Sequence, residues 1–454
     1  EDVIRFDIGG VEAMILEESV QGATRLDIGP DFGLFVGRNA GLNSYAGWNT
    51  FLGYEAGLNN TTGDRNVFIG HRAGQNNGAN RDRNVIIGYE SGFNNDGGSN
   101  TMVGYHTGRG NSSGHSNTFV GYVSGVQNTT GYRNTFLGQQ AGHNNEVSFE
   151  NTFVGFSAGY NNEGDRNTFV GLNAGMANRT GDFNVAIGGS VFGTPLNNSD
   201  LGNGNTAVGY EAGFFADSLG QNTLMGYRSG DSLTYGNCNV MLGYQAGFLS
   251  NQAHANVAIG VDALRQNSNG NYNVAVGDSA LYANKTGGNV ALGTKAGMDN
   301  TSGSGNTFLG NSAGTNNTMG VGNTFVGYRS GNFNKTGERN VFVGSETGNA
   351  NDDGDFNTFI GYATGFRNED GVDNVLIGNN TGSYLTSGQN NIGIGRWALT
   401  NNATGTHNIA IGELALGDPV GGAAIENKNI AIGHQAGQNA SGGFNVIVGN
   451  QSGM

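Results

Sequence analysis

The chain has 454 residues, of which 84 are Gly and 67 Asn, so two residue types supply about a third of it. Only 13% of residues are charged, with 3 Pro and 1 Cys; this excludes collagen, which needs Gly at every third position with abundant Pro, a disulfide scaffold, since Cys238 has no second cysteine to pair with, and long helices, in which each interior Gly costs about 1 kcal/mol relative to Ala. The net charge of −15 argues against nucleic acid or an anionic membrane surface as the main partner; no apolar run reaches the roughly 18 residues of a membrane span, and no basic segment leads into one as in a signal peptide.

Residues 1–30 come first and differ from all that follows. Val3 to Ile8 and Val11 to Leu16 alternate apolar and polar residues around Gly9-Gly10, a pattern that predicts a β-hairpin. Such a terminal unit would cap the exposed first coil of a repeat protein. Beginning at Glu1 rather than Met, the chain reads as a processed product or a piece of a longer protein.

From residue 31 to 454 one motif recurs. Asn49-Thr50-Phe51-Leu52-Gly53 returns at Asn66 to Gly70, Asn84 to Gly88 and onward to Asn445 to Gly449, for 25 copies counting the variant Gly33 to Gly37. Of the 24 intervals between closing glycines, sixteen are 17 residues, five are 16, one is 18 and two are 21. A fixed short period of this kind is the signature of a solenoid. The two long intervals place insertions near residues 189–204 and 413–428, and they hold Pro195 and Pro419. Proline cannot donate to a strand ladder, so its confinement there supports strands in the regular repeats.

With the motif Asn numbered as repeat position 1, position 2 is Thr, Val or Ile in all 24 Asn-containing copies and position 4 is Val, Ile, Leu or Met in all 25. Position 3, on the opposite face, is mostly Phe, so the strand is apolar on both sides. Position 9 is Gly except at Phe192, Leu264, Leu281, Leu399 and Leu416, and in those five copies position 3 is small: Ala186, Ala258, Ala275, Gly393 and Ala410. Close-packed interiors feel single methylenes; the pairs Ala258 with Leu264, Ala275 with Leu281, and Ala410 with Leu416 therefore read as two positions sharing one core site. The predicted coil has two strands, at positions 1 to 5 and about 9 to 13, closed by a Gly/Asn turn such as Asn60-Thr61-Thr62-Gly63. The fold class is all-β, a parallel β-solenoid of about 25 coils; at about 4.8 Å per coil it would form a rod of roughly 120 Å. If positions 3 and 9 fill the interior, positions 2 and 4 need cover from neighbouring chains, most simply around a threefold axis.

Copies such as Asn256-Val257-Ala258-Ile259-Gly260, Asn273-Val274-Ala275-Val276-Gly277 and Asn429-Ile430-Ala431-Ile432-Gly433 resemble the core motif of trimeric autotransporter adhesin heads. The resemblance implies a left-handed parallel β-roll with three chains around one axis. The Asn-Thr-Phe-Val-Gly form, followed by Tyr-x-Ala-Gly and an Asn-Thr-Thr-Gly turn, is also similar to repeats of bacterial surface proteins and phage tail fibres. The period here is longer than the adhesin head's, and neither a coiled-coil stalk nor a membrane-anchor barrel accompanies it.

Few residues carry chemistry. The seven histidines fall in six repeats, and the one pair that shares a repeat, His106 and His115, is nine residues apart, without metal-ligand spacing; the repeat glycines lack the Gly-Lys-Ser/Thr of a phosphate loop, and no enzyme and no cofactor are expected. Asp352, Asp353 and Asp355 cluster in one turn as weak Ca²⁺ candidates, because hard cations prefer oxygen ligands. Position 6 is Tyr nine times, at Tyr54, Tyr89, Tyr105, Tyr122, Tyr210, Tyr227, Tyr244, Tyr328 and Tyr362, a column that either stacks on sugars or leans on the next coil. Thr at position 2 suggests an ice-binding ladder, although its core flanks predict burial. The expected protein is an extracellular, cell-surface or virion-borne fibre, the shaft or head of a homotrimeric adhesin or phage tail fibre meeting a host-surface or glycan receptor. The alternatives are a filament subunit stacking end to end through its uncapped last coil, and a glycan- or ice-binding solenoid.

Overall fold

A computed structural model describes residues 24–28, 33–78, 80–176, 178–193, 201–418, 426–438, 440 and 442–453. The hairpin predicted over Val3 to Leu16 and most of the two insertions, at 194–200 and 419–425, lie outside these residues. Among the described residues the structure has strands and turns and no helix long and apolar enough to cross a membrane.

The fold is an all-β parallel solenoid with a period of about 17 residues. Its chain divides into two units, Glu1–Asn222 and Thr223–Met454. In the first, β1 (Thr24–Ile28) runs antiparallel along β2 (Leu34–Arg38), with Leu26 opposite Val36. The parallel stack of coils then runs from β2 through β3 (Thr50–Leu52) to β12 (Thr206–Val208). The second unit stacks β13 (Thr223–Met225) through β26 (Val446–Val448) in the same way. Register is set by the repeat: Phe51 lies opposite Phe68, and Phe325 opposite Phe342.

Each regular coil holds one strand of three residues, at positions 2 to 4. The second strand expected at positions 9 to 13 does not form; positions 6 to 11 are turns. The cause is backbone handedness. Position 7 is left-handed in every coil although it is never Gly, as at Glu55 (φ 54°), Arg72 (φ 55°) and Arg329 (φ 51°), and position 9 is left-handed too, as at Gly57 (φ 59°) and Leu281 (φ 49°). Left-handed residues at positions 7 and 9, only two apart, cannot lie in an extended strand. Inter-coil bonding nevertheless continues through the turns: Arg72 N–H donates to Tyr54 C=O at 2.8 Å, and Gly57 N–H to Ala73 C=O at 3.0 Å.

Position 3 points inward. Phe51, Phe68, Phe119, Phe136, Phe153 and Phe169 are fully buried and so are Phe308, Phe325, Phe342 and Phe359; successive rings stack at 4.8 Å for Phe51 with Phe68, Phe136 with Phe153, and Phe342 with Phe359. A Cβ on the position-9 glycine would enter the ring of the same coil, at 2.4 Å from Phe136 for Gly142 and 2.4 Å from Phe325 for Gly331. Where position 3 is small, the position-9 side chain takes that space: Ala258 and Leu264, Ala275 and Leu281, Ala410 and Leu416 are all buried. Sharing also reaches across coils. Ala291 is small yet its position 9 is Gly297, and a Cβ there would lie 2.5 Å from Phe308 of the next coil and 2.9 Å from Leu281 of the preceding one.

The other half of the interior is polar. Along the stack a position-1 Asn accepts the next coil's position-1 N–H through its Oδ1, as from Asn323 to Asn306 at 2.9 Å, and donates its Nδ2 to a turn carbonyl, as from Asn323 to Gly337 at 2.8 Å; Asn408, whose Nδ2 has no partner among the described residues, departs from this. A second buried column, read from sequence as turn filler, stands at position 12. Here side-chain amides bond directly from coil to coil: Asn300 to Asn284 at 2.7 Å, Asn317 to Asn300 at 2.8 Å, Asn334 to Asn317 at 2.7 Å and Asn351 to Asn334 at 2.6 Å. The buried Asn Oδ1 atoms without a hydrogen bond, on Asn128, Asn145, Asn178, Asn368 and Asn402, all belong to this column. They mark its breaks, as where Leu385 follows Asn368. Asn317→Leu should therefore strip the donor from Asn300 Oδ1 and cost about 1–3 kcal/mol, the price of one orphaned buried acceptor. Leu385→Asn, which supplies Asn368 Oδ1 with a donor, should be near neutral despite the lost apolar burial. Amide hydrogen exchange read by peptide over residues 284–351 and 357–402 checks this; an Asn317→Leu chain as protected there as the native one would mean that the ladder contributes nothing.

Candidate binding surface

The strands' outer face comes first because it is the largest. Positions 2 and 4 are half-buried or exposed in the single chain: Val120 and Leu137 are 36% exposed, Met225 is 46%, and Val446 and Val448 of the last coil are 73% and 65%. Position 2 had been expected to be buried, and it is not: the alternation of a three-residue strand sends position 3 inward and so turns both of its neighbours outward. Not one of the residues at positions 2 and 4 is charged. Each unit thus carries an uninterrupted strip of Thr, Val, Ile, Leu and Met along its strands.

Position 6 follows the sharp Gly at position 5 and is thrown to the surface, where Tyr89, Tyr105 and Tyr122 are 42–52% exposed. His71 fills the gap between Tyr54 and Tyr89, so that five rings form one column. Tyr54 and His71 stack at 5.1 Å, His71 and Tyr89 at 4.9 Å, Tyr89 and Tyr105 at 5.3 Å, and Tyr105 and Tyr122 at 5.3 Å, with planes within 18° of parallel. Tyr227 and Tyr244 repeat the arrangement at 5.3 Å. Rings stacked at the coil spacing turn their faces to one another and only their edges to water. A sugar needs a free face, so within these columns the rings serve the solenoid. Tyr210 is also exposed. Tyr328 stands beneath the Arg329 guanidinium at 5.0 Å, whereas Tyr362 lies between Ser345 and Asn379 in the column and has no ring above or below it.

Beside the first column runs a charge ladder at positions 7 and 10. Glu55 accepts from Arg72 Nε at 3.0 Å and Gln75 Nε2 at 2.6 Å, and Glu90 from Arg109 Nε at 2.9 Å. Burial pushes both carboxyls up, but hydrogen bonds from Tyr54 and Arg72 with the charge of Arg72 on Glu55, and the hydrogen bond and charge of Arg109 on Glu90, outweigh it and hold both below the usual carboxylate range. His106, 3.3 Å from Glu90, is depressed by burial despite that neighbour. These groups bind one coil to the next. A further stack that sequence did not single out, His115, Tyr132 and Phe149 at 5.1 and 4.9 Å, runs along position 16, with the Arg166 guanidinium 5.1 Å from the Phe149 ring. Its signal was only an aromatic at the same position in three successive repeats.

Asp352, Asp353 and Asp355 do not converge. Asp352 pairs with Lys335 Nζ at 2.7 Å, Asp353 accepts from the Thr336 hydroxyl, and Asp355 accepts from Glu338 N–H at 2.7 Å, three separate contacts with the coil before. Among the described residues no three His, Cys, Asp or Glu side chains gather as a metal site would require. A scan of the sequence against protein-family models matches none, and a search of curated proteins returns no similar sequence.

Proposed function

We propose that this chain is a non-enzymatic extracellular fibre segment, the shaft or head of an adhesin or phage tail fibre, whose copies pack as a homotrimer through the outer face of their strands. The observation that carries the reading is the uncharged strip of positions 2 and 4. Parallel sheets are normally covered on both faces, and monomers rarely leave apolar patches of more than a few hundred Å² in water. A strip that repeats coil after coil offers a partner the same surface at every level, which suits rotational packing of identical chains along a shared axis. The buried polar groups support a scaffold role: the amides of positions 1 and 12 are spent on joining coils.

Sedimentation equilibrium of the purified chain tests this. The expected mass is three times 47.0 kDa, about 141 kDa, and Val326→Lys, which sets a charge into the strip, should lower it. A native chain of 47.0 kDa would overturn the trimer, and an open-ended series of larger species would favour a filament.

A further inference from the structure

In the second unit the position-6 to position-11 turns of three successive coils leave a groove of about 260 Å³, lined by Tyr362, Phe366 and Tyr384 with Glu346, Arg367 and Asn380. Its floor is the smallest residue of its column. Position 7 is Ser at Ser157, Ser190, Ser279 and Ser312 and otherwise carries larger side chains such as Glu, Arg, Gln and Asn, but in this coil it is Ala363, the single Ala among the 25 residues at that position. With no long side chain on the middle coil, the floor between Glu346 and Asn380 lies open.

Three features of the groove point to one chemistry. Tyr362 is 51% exposed and its column neighbours, Ser345 and Asn379, are too small to cover its ring. This is the condition that the rings inside the stacked column, His71, Tyr89 and Tyr105, fail. Opposite stands Tyr384, held by the Arg367 guanidinium 4.9 Å from its ring centre. Finally, Glu346 differs from Glu55 and Glu90 at the same position: those two are spent on arginines, while among the described residues the Glu346 carboxylate has no ion pair and accepts no hydrogen bond from another side chain. A free aromatic face, with an unspent carboxylate, a guanidinium and an amide at its rim, matches a pyranose ring, whose C–H face packs on an aromatic while its hydroxyls donate to a carboxylate and accept from a cation. The volume lies just under the roughly 300 Å³ at which drug-sized sites begin, so it suits a single ring with open ends rather than an enclosed ligand. The presence of both signs of charge favours a neutral sugar over an anionic one.

We infer that this groove binds a neutral pyranose unit of a glycan. The inference rests on the attachment role proposed above but not on the trimer. The labelled chain of 454 residues, applied to an array of neutral oligosaccharides ending in galactose, glucose or N-acetylglucosamine, beside sialylated and sulfated ones, provides the test. Binding to at least one neutral class is expected. Ala363→Gln, which closes the groove with a side chain already found at this position and backbone angle in Gln140 and Gln245 (φ 59° and 52°), should reduce it at least tenfold, as should Tyr362→Ala. Tyr54→Ala should leave it unchanged. Absence of neutral-glycan binding, binding confined to anionic glycans, or binding indifferent to both groove variants would overturn the inference. Glu346→Gln keeps the fold under test if either variant unfolds, and should also weaken binding. A monomer that still binds through the groove would sink the trimer alone; a trimer blind to neutral glycans would sink the groove alone.

Discussion

Gly327→Ala should unravel the coils around it, whereas Gly305→Ala should leave them folded. Both glycines have positive φ, +133° and +66°, so neither is an easy place for a side chain. They differ in what a methyl group would meet. At Gly327 it would sit 2.4 Å from the carbonyl oxygen of Gly344 and 2.6 Å from its carbon, while at Gly305 nothing lies within 4 Å. The obstacle at Gly327 is backbone in the next coil, itself bonded to the coil after, and cannot swing aside as a side chain could. Every position-5 glycine from Gly37 to Gly433 for which the distance is given faces the corresponding carbonyl of the next coil, which accounts for Gly in the copies that have a coil after them; Gly449, the last, keeps only the positive φ of +133°. Strain of this kind, added to a φ that non-Gly residues avoid, falls in the range of roughly 4 kcal/mol or more that marks exceptional substitutions. Left-handed φ alone costs Gly305→Ala about 1 kcal/mol.

In a solenoid each coil contacts only its neighbours, so damage stays local and a single melting temperature would blur it. Amide hydrogen exchange read by peptide is the better measurement. For Gly327→Ala, protection should fall across residues 323–361 and stay native in 33–178; for Gly305→Ala it should stay native in both. Equal protection in the two variants would show that the close approach of successive coils is softer than its geometry indicates.

What the sequence made legible and what it hid follow from how each position is constrained. The strand was readable because Thr, Val and Ile at position 2, and Val, Ile, Leu and Met at position 4, record a period of two. Gly at position 9 was readable as a spacer because its replacements, among them Leu264 and Leu281, occur only beside Ala or Gly at position 3, so that sterics left a trace in residue identity. The same Gly misled where it was taken as the start of a second strand: it marks a left-handed turn, and the left-handed residue before it gives no warning, since Glu55, Arg72, Val123 and Trp397 all adopt φ near +50° there. The hydrogen bonds at positions 7 and 9 that join coil to coil compensate this conformation, and they exist only after stacking.

The position-12 amide ladder was hidden for a related reason. A lone Asn in a turn is ordinarily solvated or bonded to its own backbone, and burying its amide unpaired is costly. Only when Asn300, Asn317 and Asn334 are placed one above another does each Nδ2 meet the Oδ1 below, which makes the buried position favourable. Likewise the sequence lined up the tyrosines but could not tell whether they present faces or edges. That depends on the coil spacing, which closes the faces from Tyr54 to Tyr122 and leaves Tyr362 open where its neighbours are Ser345 and Asn379.

The shared core site allows the sharpest energetic test. Leu281 is fully buried beside Ala275 and held at φ 49°. Leu281→Gly removes the side chain and leaves a cavity, a change that costs about 3–4 kcal/mol in close-packed cores, while relief of the left-handed backbone returns about 1 kcal/mol; a net loss of roughly 2–3 kcal/mol is expected. Ala275→Phe alone drives a ring into Leu281 and should also destabilise, by about 1–3 kcal/mol. Together the two changes convert this coil to the arrangement of its neighbours further along, Phe325 with Gly331 and Phe342 with Gly348. The double variant should therefore be more stable than Leu281→Gly, and the cycle should show a favourable coupling of at least about 1 kcal/mol. The coupling has a ceiling set by the adjoining coil. Leu281 also fills space left by Gly297, where a Cβ would come within 2.9 Å of it, and a ring rooted at position 275 reaches that space only in part. Full recovery is thus not expected in the double variant. Additive losses, with no coupling, would mean that positions 3 and 9 tolerate each other independently and that the exchange between them in sequence has another cause.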